Sequence, residues 1–300
     1  RDLEKTTFAT ARRIYALFET GDDVAGLDRV MEEYESLVRQ IRQPQYSYVQ
    51  AGFVTMRALF EGRFTDAEQL AIQALNLGQR LQLQSAEGIF GMQMFMLRRE
   101  QDRLHEVAPI VEMFVQEHSS FSWKPGLALM YTELGLTDKA QALFEQLAAG
   151  EFTDIPQDGV WPASMTFLAE VCAALGDRRR AEALYRLLSP YAGYAIVASE
   201  WACFGAGSRF LGQLAATTGR WQEAESHFDQ ALAMNARMGA KPWLARTQYH
   251  FAQMLLARRE PGDDVRAAAL LGDSLTIARQ LGMRSLETRI AGARHFAAEI

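Results

Sequence analysis

Small and apolar residues recur along this chain at helical spacing. In "LGQLAATTGRWQEAESHFDQALAMN", residues 211 to 235, Ala224, Phe228 and Ala231 stand four and three apart, which places them on one face of a helix. Gly219 precedes that helix and follows another helical run. It occupies the place where a left-handed residue ends a helix without a Cβ penalty. Gly212 lies inside the first run, where glycine costs about 1 kcal/mol relative to alanine, so another group must come close there. The stretch predicts two helices folded back on each other, with Phe228 filling the space beside the small residues.

The same signature recurs. Aligned on the position of Ala224, the anchors are Gly26, Ala67, Val107, Ala140, Ala181, Ala224 and Ala268, separated by 41, 40, 33, 41, 43 and 44 residues. Gly21, Gly62, Gly135, Gly176 and Gly219 hold the turn five residues before the anchor, Asp102 stands there in another unit, and the last unit has a longer loop with Pro261 and Gly262. The fold class predicted is all-α, an α-solenoid of about seven antiparallel helical hairpins at roughly 7–44, 45–84, 85–119, 120–155, 156–196, 197–240 and 241–283, with a capping helix at 284–300. No Pro/Gly/Ser-rich linker or charge block divides the chain, so residues 1–300 are expected to form one elongated domain whose units touch mainly their neighbours.

No alternating β-branched run supports a sheet. Two connections, 147–164 and 188–208, exceed a minimal helix-to-helix turn. They read either as loops filling the groove and the gaps between units, or as carriers of Trp161, Tyr191, Tyr194 and Trp201 on the rim of a binding site.

Composition narrows the function classes. With 49% hydrophobic and 23% charged residues the chain can bury a continuous core. A net charge of −6 repels phosphate, which argues against direct nucleic-acid binding. The one dense basic run, "GDRRRAE" at 176–182, reads as a solvated helix start or a contact for an acidic partner. No GxxxxGK[ST] or HExxH stretch occurs, and His105, His118, His227, His250 and His295 lack ligand spacing. "GAGSRFLG", residues 205 to 212, lacks the GxSxG order and reads as helix N-terminal packing. The expectation is a chain that is not an enzyme, with no catalytic residues, metal or cofactor. Cys172 and Cys203, without CxxC spacing, suit buried thiols in a reducing cytoplasm. The chain opens at Arg1 with no signal-peptide pattern and no membrane span, and is expected to be a piece of a larger cytoplasmic protein.

The order Leu211-Gly212, Gly219, Trp221, Ala224, Phe228, Ala231 resembles the tetratricopeptide repeat. Two further units carry it through Leu168-Ala169, Gly176, Ala181, Tyr185 and through Leu127-Ala128, Tyr131, Gly135, Ala140, Phe144. Most separations exceed the roughly 34 residues of that repeat. Longer helices with this drift, above all residues 241 to 283, look like the C-terminal helical region of bacterial signal-transduction ATPases of the STAND class, among them LuxR-type regulators and proteins with cyclase or kinase modules. The resemblance implies a right-handed superhelix that serves as a sensor or partner-binding region. In that family, binding of an effector or protein is thought to change the ATPase's oligomeric state. The alternative is a free-standing scaffold that binds a protein segment.

In tetratricopeptide-type stacks the first helix of each unit lines the concave groove. Carried over unit by unit, the groove positions are Phe53 and Met56, then Gln93, Met96 and Arg99, then Glu133, then Phe167 and Glu170. Arg209, Phe210 and Gln213 follow, and Arg246, Tyr249, His250 and Gln253 complete the set. The aromatic and methionine positions equally suit core packing; Arg209 and Arg246 suit pairing with Glu170 or with an anionic ligand group. The resemblance implies a protein partner or small-molecule effector, and oligomerisation through the parent protein. The Lys and Asn groove residues with which chaperone-binding members of the repeat family grip acidic tails are missing, since the corresponding positions include Gly52, Met56, Gln93, Ser122 and Gly126.

Overall fold

The computed structural model describes residues 2–117 and 123–298. Among these residues it contains fifteen helices. Seven hairpins follow in order: α1 (Leu3–Thr20) with α2 (Val24–Ile41), α3 (Pro44–Glu61) with α4 (Phe64–Arg80), α5 (Ala86–Glu100) with α6 (Leu104–Glu117), and α7 (Lys124–Glu133) with α8 (Thr137–Ala148). Then come α9 (Trp161–Leu175) with α10 (Arg178–Leu188), α11 (Gly207–Thr218) with α12 (Trp221–Arg237), and α13 (Lys241–Arg258) with α14 (Asp263–Leu281), before a closing helix α15 (Arg284–Ala298). This is an all-α solenoid. The expected boundary between 119 and 120, His118, Ser122 and the last two residues of the expected capping helix lie outside the described residues, as does the side chain of His295.

The turns explain the hairpins. Gly21, Gly62, Gly135, Gly176 and Gly219 all adopt positive φ, between +61° and +83°. Asp102 takes the same conformation at φ +61°, which aspartate tolerates better than most side chains. Asp2, Asp23 and Asp177 cap the helices that follow them by accepting a backbone N–H. Behind the turns, Ala224, Phe228 and Ala231 are fully buried, and a Cβ on Gly212 would stand 3.0 Å from the Phe228 ring. The glycine thus sets how closely α11 approaches α12. Two anchors differ from expectation. In α14 the buried small residue is Ala267, and Ala268 is exposed, because Arg259 and Gly262 with φ +61° and +88° start the helix one residue out of step. In α6 the buried stripe runs through Leu104, Ala108 and Val111, leaving Val107 half-buried.

The structure corrects two further expectations. The first is the absence of strands. The long connection after α10 forms a short 3-10 turn at Ser189–Tyr191 and then two antiparallel strands, β1 (Ala195–Ala198) and β2 (Ala202–Ala206), with Val197 opposite Cys203 and Ala198 opposite Ala202. Every residue of both strands is buried, so neither shows the alternation that marks a half-exposed strand. The second is the elongated rod with contacts only between neighbours. Helix α3 packs on α13, α5 on α15, and α1 on β1. Arg237 Nε donates to the Gly21 carbonyl at 2.9 Å. A Cβ on Gly21 would strike Met238, and one on Gly62 would strike Leu281. The superhelix curls until its first hairpins meet its last. The cause is visible in the inner helices: α9, α11 and α13 are buried on nearly every side, and a helix without a solvent face needs neighbours all round. Among the described residues no helix is long and apolar enough to cross a membrane.

Candidate functional site

The hollow of the superhelix is partly filled by the chain itself. Trp201, at the β1–β2 turn, lies 4.7 Å from the Tyr48 ring and is 7% exposed. A Cβ on Gly52 would stand 2.5 Å from the Trp201 indole, so α3 carries glycine there. Gln93 Nε2 donates to the Trp201 carbonyl at 3.3 Å, and Phe204 stacks edge-on against Phe167 at 5.1 Å and lies 5.9 Å from Trp243. The hairpin therefore occupies the groove next to Gln93 and Phe167. Phe53 sits in the core, edge-on to Tyr34 at 5.8 Å, and Met56 and Met96 are buried there too. Trp161 opens α9, buried and 6.0 Å from Tyr191, while Tyr194 is exposed.

Arg99, Glu133, Glu170 and Arg209 join Arg289 in one ion network across five helices, with the pair Arg246–Glu100 separate from it. Arg99 donates to Glu133 at 2.6 Å and also to Glu170. Arg209 Nη2 donates to the other Glu170 oxygen at 3.1 Å, and Arg289 of α15 reaches the second Glu133 oxygen at 2.7 Å. Arg246 donates to Glu100 at 2.8 Å. Burial alone would push the Glu170 carboxyl up, but the charges of Arg99 and Arg209 outweigh it and hold it well below the usual range; Glu133 is likewise pushed up by burial but lowered on balance by Arg99 and Arg289. Arg209 is fully buried, with its guanidinium 4.0 Å over the Phe210 ring and 5.4 Å from Trp243. Its Nε and Nη1 have no acceptor. Burial, partly offset by Glu170, pushes it down to about 10.

Beside this network lies a cavity of about 400 Å³. Its walls come from α7, α9, α11 and α13, with α12 and α15 contributing at the edges. Glu133, Glu170, Gln213, His250, Gln253 and Arg289 supply its polar surface; Trp221, Phe228, Tyr249 and Met254 supply much of the rest. Gln253 Nε2 donates to the Tyr249 hydroxyl at 2.9 Å, and Gln253 Oε1 lies 3.3 Å from His250 Nδ1. An imidazole that donates from Nδ1 to that oxygen keeps a lone pair on Nε2. His250 Nε2 and Gln213 Oε1 are both buried without a partner. Burial first, then the Arg209 charge, pushes His250 down to about 3, so it is neutral.

The structure thus gathers Glu133, Glu170, Gln213, Tyr249, His250 and Gln253 around one space and sets Arg99, Arg209, Phe210 and Arg246 behind or beside it. Sequence reasoning missed Arg289, Glu100 and Trp221 as parts of this region. Trp221 stands at a repeat position, which was a usable signal. Arg289 is one arginine on an amphipathic helix, and nothing in the local pattern shows that α15 turns back over the groove. Among the described residues no group of three or more His, Cys, Asp or Glu is placed to hold a metal ion.

A family model of the tetratricopeptide repeat matches residues 209–240, the α11–α12 hairpin. No curated protein matches the chain. Among solved structures, a Rap protein crystallised in complex with competence and sporulation factor is similar over 98% of this chain and 99% of that chain, with 11% identity and a TM-score of 0.47. The chain is an all-α helical-repeat fold that carries a tetratricopeptide-repeat match over its α11–α12 hairpin.

Proposed function

We propose that this chain binds a short segment of a partner protein in the cavity bounded by α7, α9, α11, α13 and α15. The observation that carries the reading is the cavity itself. Its volume of about 400 Å³ is in the range that holds a few residues or a small ligand, and its aromatic walls face amide, imidazole and guanidinium groups. The chain's own β1–β2 hairpin packs on the concave side beside Tyr48, Gly52 and Gln93, none of which lines this cavity. A stack of first helices that presents one polar face along a groove is how helical repeats hold extended segments.

The test is selection of displayed random peptides on the purified chain, with Ala216→Phe as the cavity-filling control. Ala216 is half-buried on the cavity wall, so a phenyl ring projects into the space without replacing a core residue. Enrichment that vanishes in Ala216→Phe, with the circular dichroism spectrum unchanged, supports the reading; enrichment unaffected by the substitution removes it.

The wider setting we propose is the sensor or partner-binding region of a larger bacterial regulatory ATPase, on the likeness of residues 241 to 283 to the end of such regions. Partner or effector binding would then act on the parent protein's assembly. The second reading is a free-standing scaffold. An open reading frame with a nucleotide-binding ATPase module next to these residues supports the first; a frame with no such module supports the second.

A further inference from the structure

Each charged group that lines the cavity already has its partner. Glu133 is paired with Arg99 and Arg289, and Glu170 with Arg99 and Arg209. Arg289 also hydrogen-bonds the Tyr249 hydroxyl, and burial keeps His250 neutral. A charged group that entered would leave water without meeting an unpaired counter-charge, which disfavours it. The group this space suits is uncharged.

The apolar part of the wall points to a flat ring. Of the five tryptophans, Trp123 lies 6.2 Å from Phe114, Trp161 6.0 Å from Tyr191, Trp201 4.7 Å from Tyr48 and Trp243 5.9 Å from Phe204. Trp221 alone has no aromatic or cationic partner among the described residues, and it lines the cavity half-buried. Ala173, Ala174, Ala216 and Ala257 line it too, on α9, α11 and α13, so the space is open because four wall positions stop at Cβ. A second ring completes such an indole with a contact that adds to the area it buries.

The polar part of the wall calls for a donor. Thr132 and Thr217 spend their hydroxyl hydrogens on the Ala128 and Gln213 carbonyls, at 2.9 Å each, which leaves their oxygens as acceptors. Among the described lining residues, the buried polar atoms without a partner are Gln213 Oε1 and His250 Nε2, both acceptors, and Gln213 is 7% exposed. Unmet buried acceptors cost stability until a ligand brings a hydrogen.

We propose that the cavity receives an uncharged phenol, the side chain of a tyrosine in the bound segment, with its ring against Trp221 and its hydroxyl donating to Gln213 Oε1. This rests on the reading of the cavity as a segment site. Tyrosine joins ring and donor in one side chain that stays uncharged well above neutral pH. The volume of about 400 Å³ lies at the small end of the roughly 300–1,000 Å³ spanned by ligand pockets, which suits one such side chain and its neighbours. A free phenol makes the same contacts, and the test separates the two sources.

The experiment joins the displayed-peptide selection to p-cresol, the free phenol that matches the side chain. Enriched peptides are expected to carry tyrosine at one fixed position. A hit is resynthesised with a fluorophore and titrated by anisotropy on the unaltered protein, a measurement that needs no folded variant. Replacing its tyrosine by phenylalanine weakens binding about fivefold, and replacing it by leucine about tenfold. Trp221→Leu brings the tyrosine and leucine peptides level, and Gln213→Leu does so for tyrosine and phenylalanine. p-Cresol binds by saturation-transfer NMR and displaces the hit, whereas p-toluate and 4-methylbenzylammonium, charged groups of similar size, compete about tenfold more weakly.

Peptides lost in Ala216→Phe that lack a fixed tyrosine, tolerate leucine there, or keep the preference for tyrosine over phenylalanine in Gln213→Leu overturn the phenol selection and leave the segment site standing. Charged analogues that compete as well as p-cresol overturn it too. Binding of p-cresol that is lost in Ala216→Phe, with no peptide enriched, assigns the site to a free phenol and removes the segment reading. Binding unaffected by Ala216→Phe, or no binding of peptide or p-cresol, overturns both.

Discussion

Glu170→Gln is the most direct probe of the buried ion network. The substitution keeps the size of the side chain and removes its charge. Arg99 retains Glu133, but Arg209, fully buried, has no other carboxylate within ion-pair distance among the described residues. Two of its nitrogens already lack acceptors, so the aromatic faces of Phe210 and Trp243 become its main remaining support. Stranding one member of a buried pair costs about 3–5 kcal/mol, far more than the net worth of the intact pair against apolar replacements. Urea unfolding at pH 7 followed by far-ultraviolet circular dichroism should show a loss of about 3–5 kcal/mol at unchanged slope. Adding Arg209→Met to Glu170→Gln should recover at least about 1.5 kcal/mol of it, because the stranded cation is gone. The wild-type advantage also has a pH signature. Glu170 titrates below its ordinary 4.5 in the fold, so its contribution is present above that value and is lost as pH falls through the folded one. A Glu170→Gln loss under about 1 kcal/mol, or a double variant that loses the sum of the two single losses, refutes this account.

Other measurements follow from the same contacts. Gly52→Ala drives a methyl into the Trp201 ring and the Glu200 carbonyl, and is expected to cost about 1–3 kcal/mol by thermal melting; Gly292→Ala, with nothing within 4 Å, should cost nothing or add up to about 1 kcal/mol. His250 is neutral in the fold down to about pH 3 but titrates near 6.5 when unfolded, so stability falls as pH drops below 6.5. Allowing for the partial exposure of the ring, His250→Gln should remove about 1 kcal/mol of the decline between pH 7 and 5, seen in denaturation midpoints. Cys172 and Cys203 are buried and their thiols are pushed up to about 12, chiefly by burial, so neither should react with a thiol reagent at pH 8 until the chain unfolds.

Much of the architecture was legible because its signals are local. A glycine or aspartate in the left-handed region, followed five residues later by a small residue, depends only on a hairpin turning tightly, as Gly219 and Ala224 show. Where the turn changed length, at Arg259 to Gly262, the register slipped by one and Ala268 was taken for Ala267. The β1–β2 hairpin escaped because a strand covered on both faces has no period of two. Its remaining signals were the pair Ile196-Val197 and the turn-prone Gly205, and the same short apolar run suits a buried helix equally well. The groove list mixed two populations for a related reason. Helical spacing identifies a face but not what covers it, so Phe53 and Met56 counted alongside Gln213 and His250, although the first pair packs in the core and the second opens on the cavity. Arg289 depended on a contact spanning 156 residues, for which a single chain offers no periodic trace.

The latch between Arg237 and the Gly21 carbonyl alters the mechanics of the whole scaffold. An open stack of hairpins behaves like a spring, stretching a little at every joint and fraying from whichever end is weakest. Here the first hairpin is fastened to the penultimate one, through Arg237 on the Gly21 carbonyl and Met238 against Gly21, so uncoiling has to break contacts that an open stack never makes.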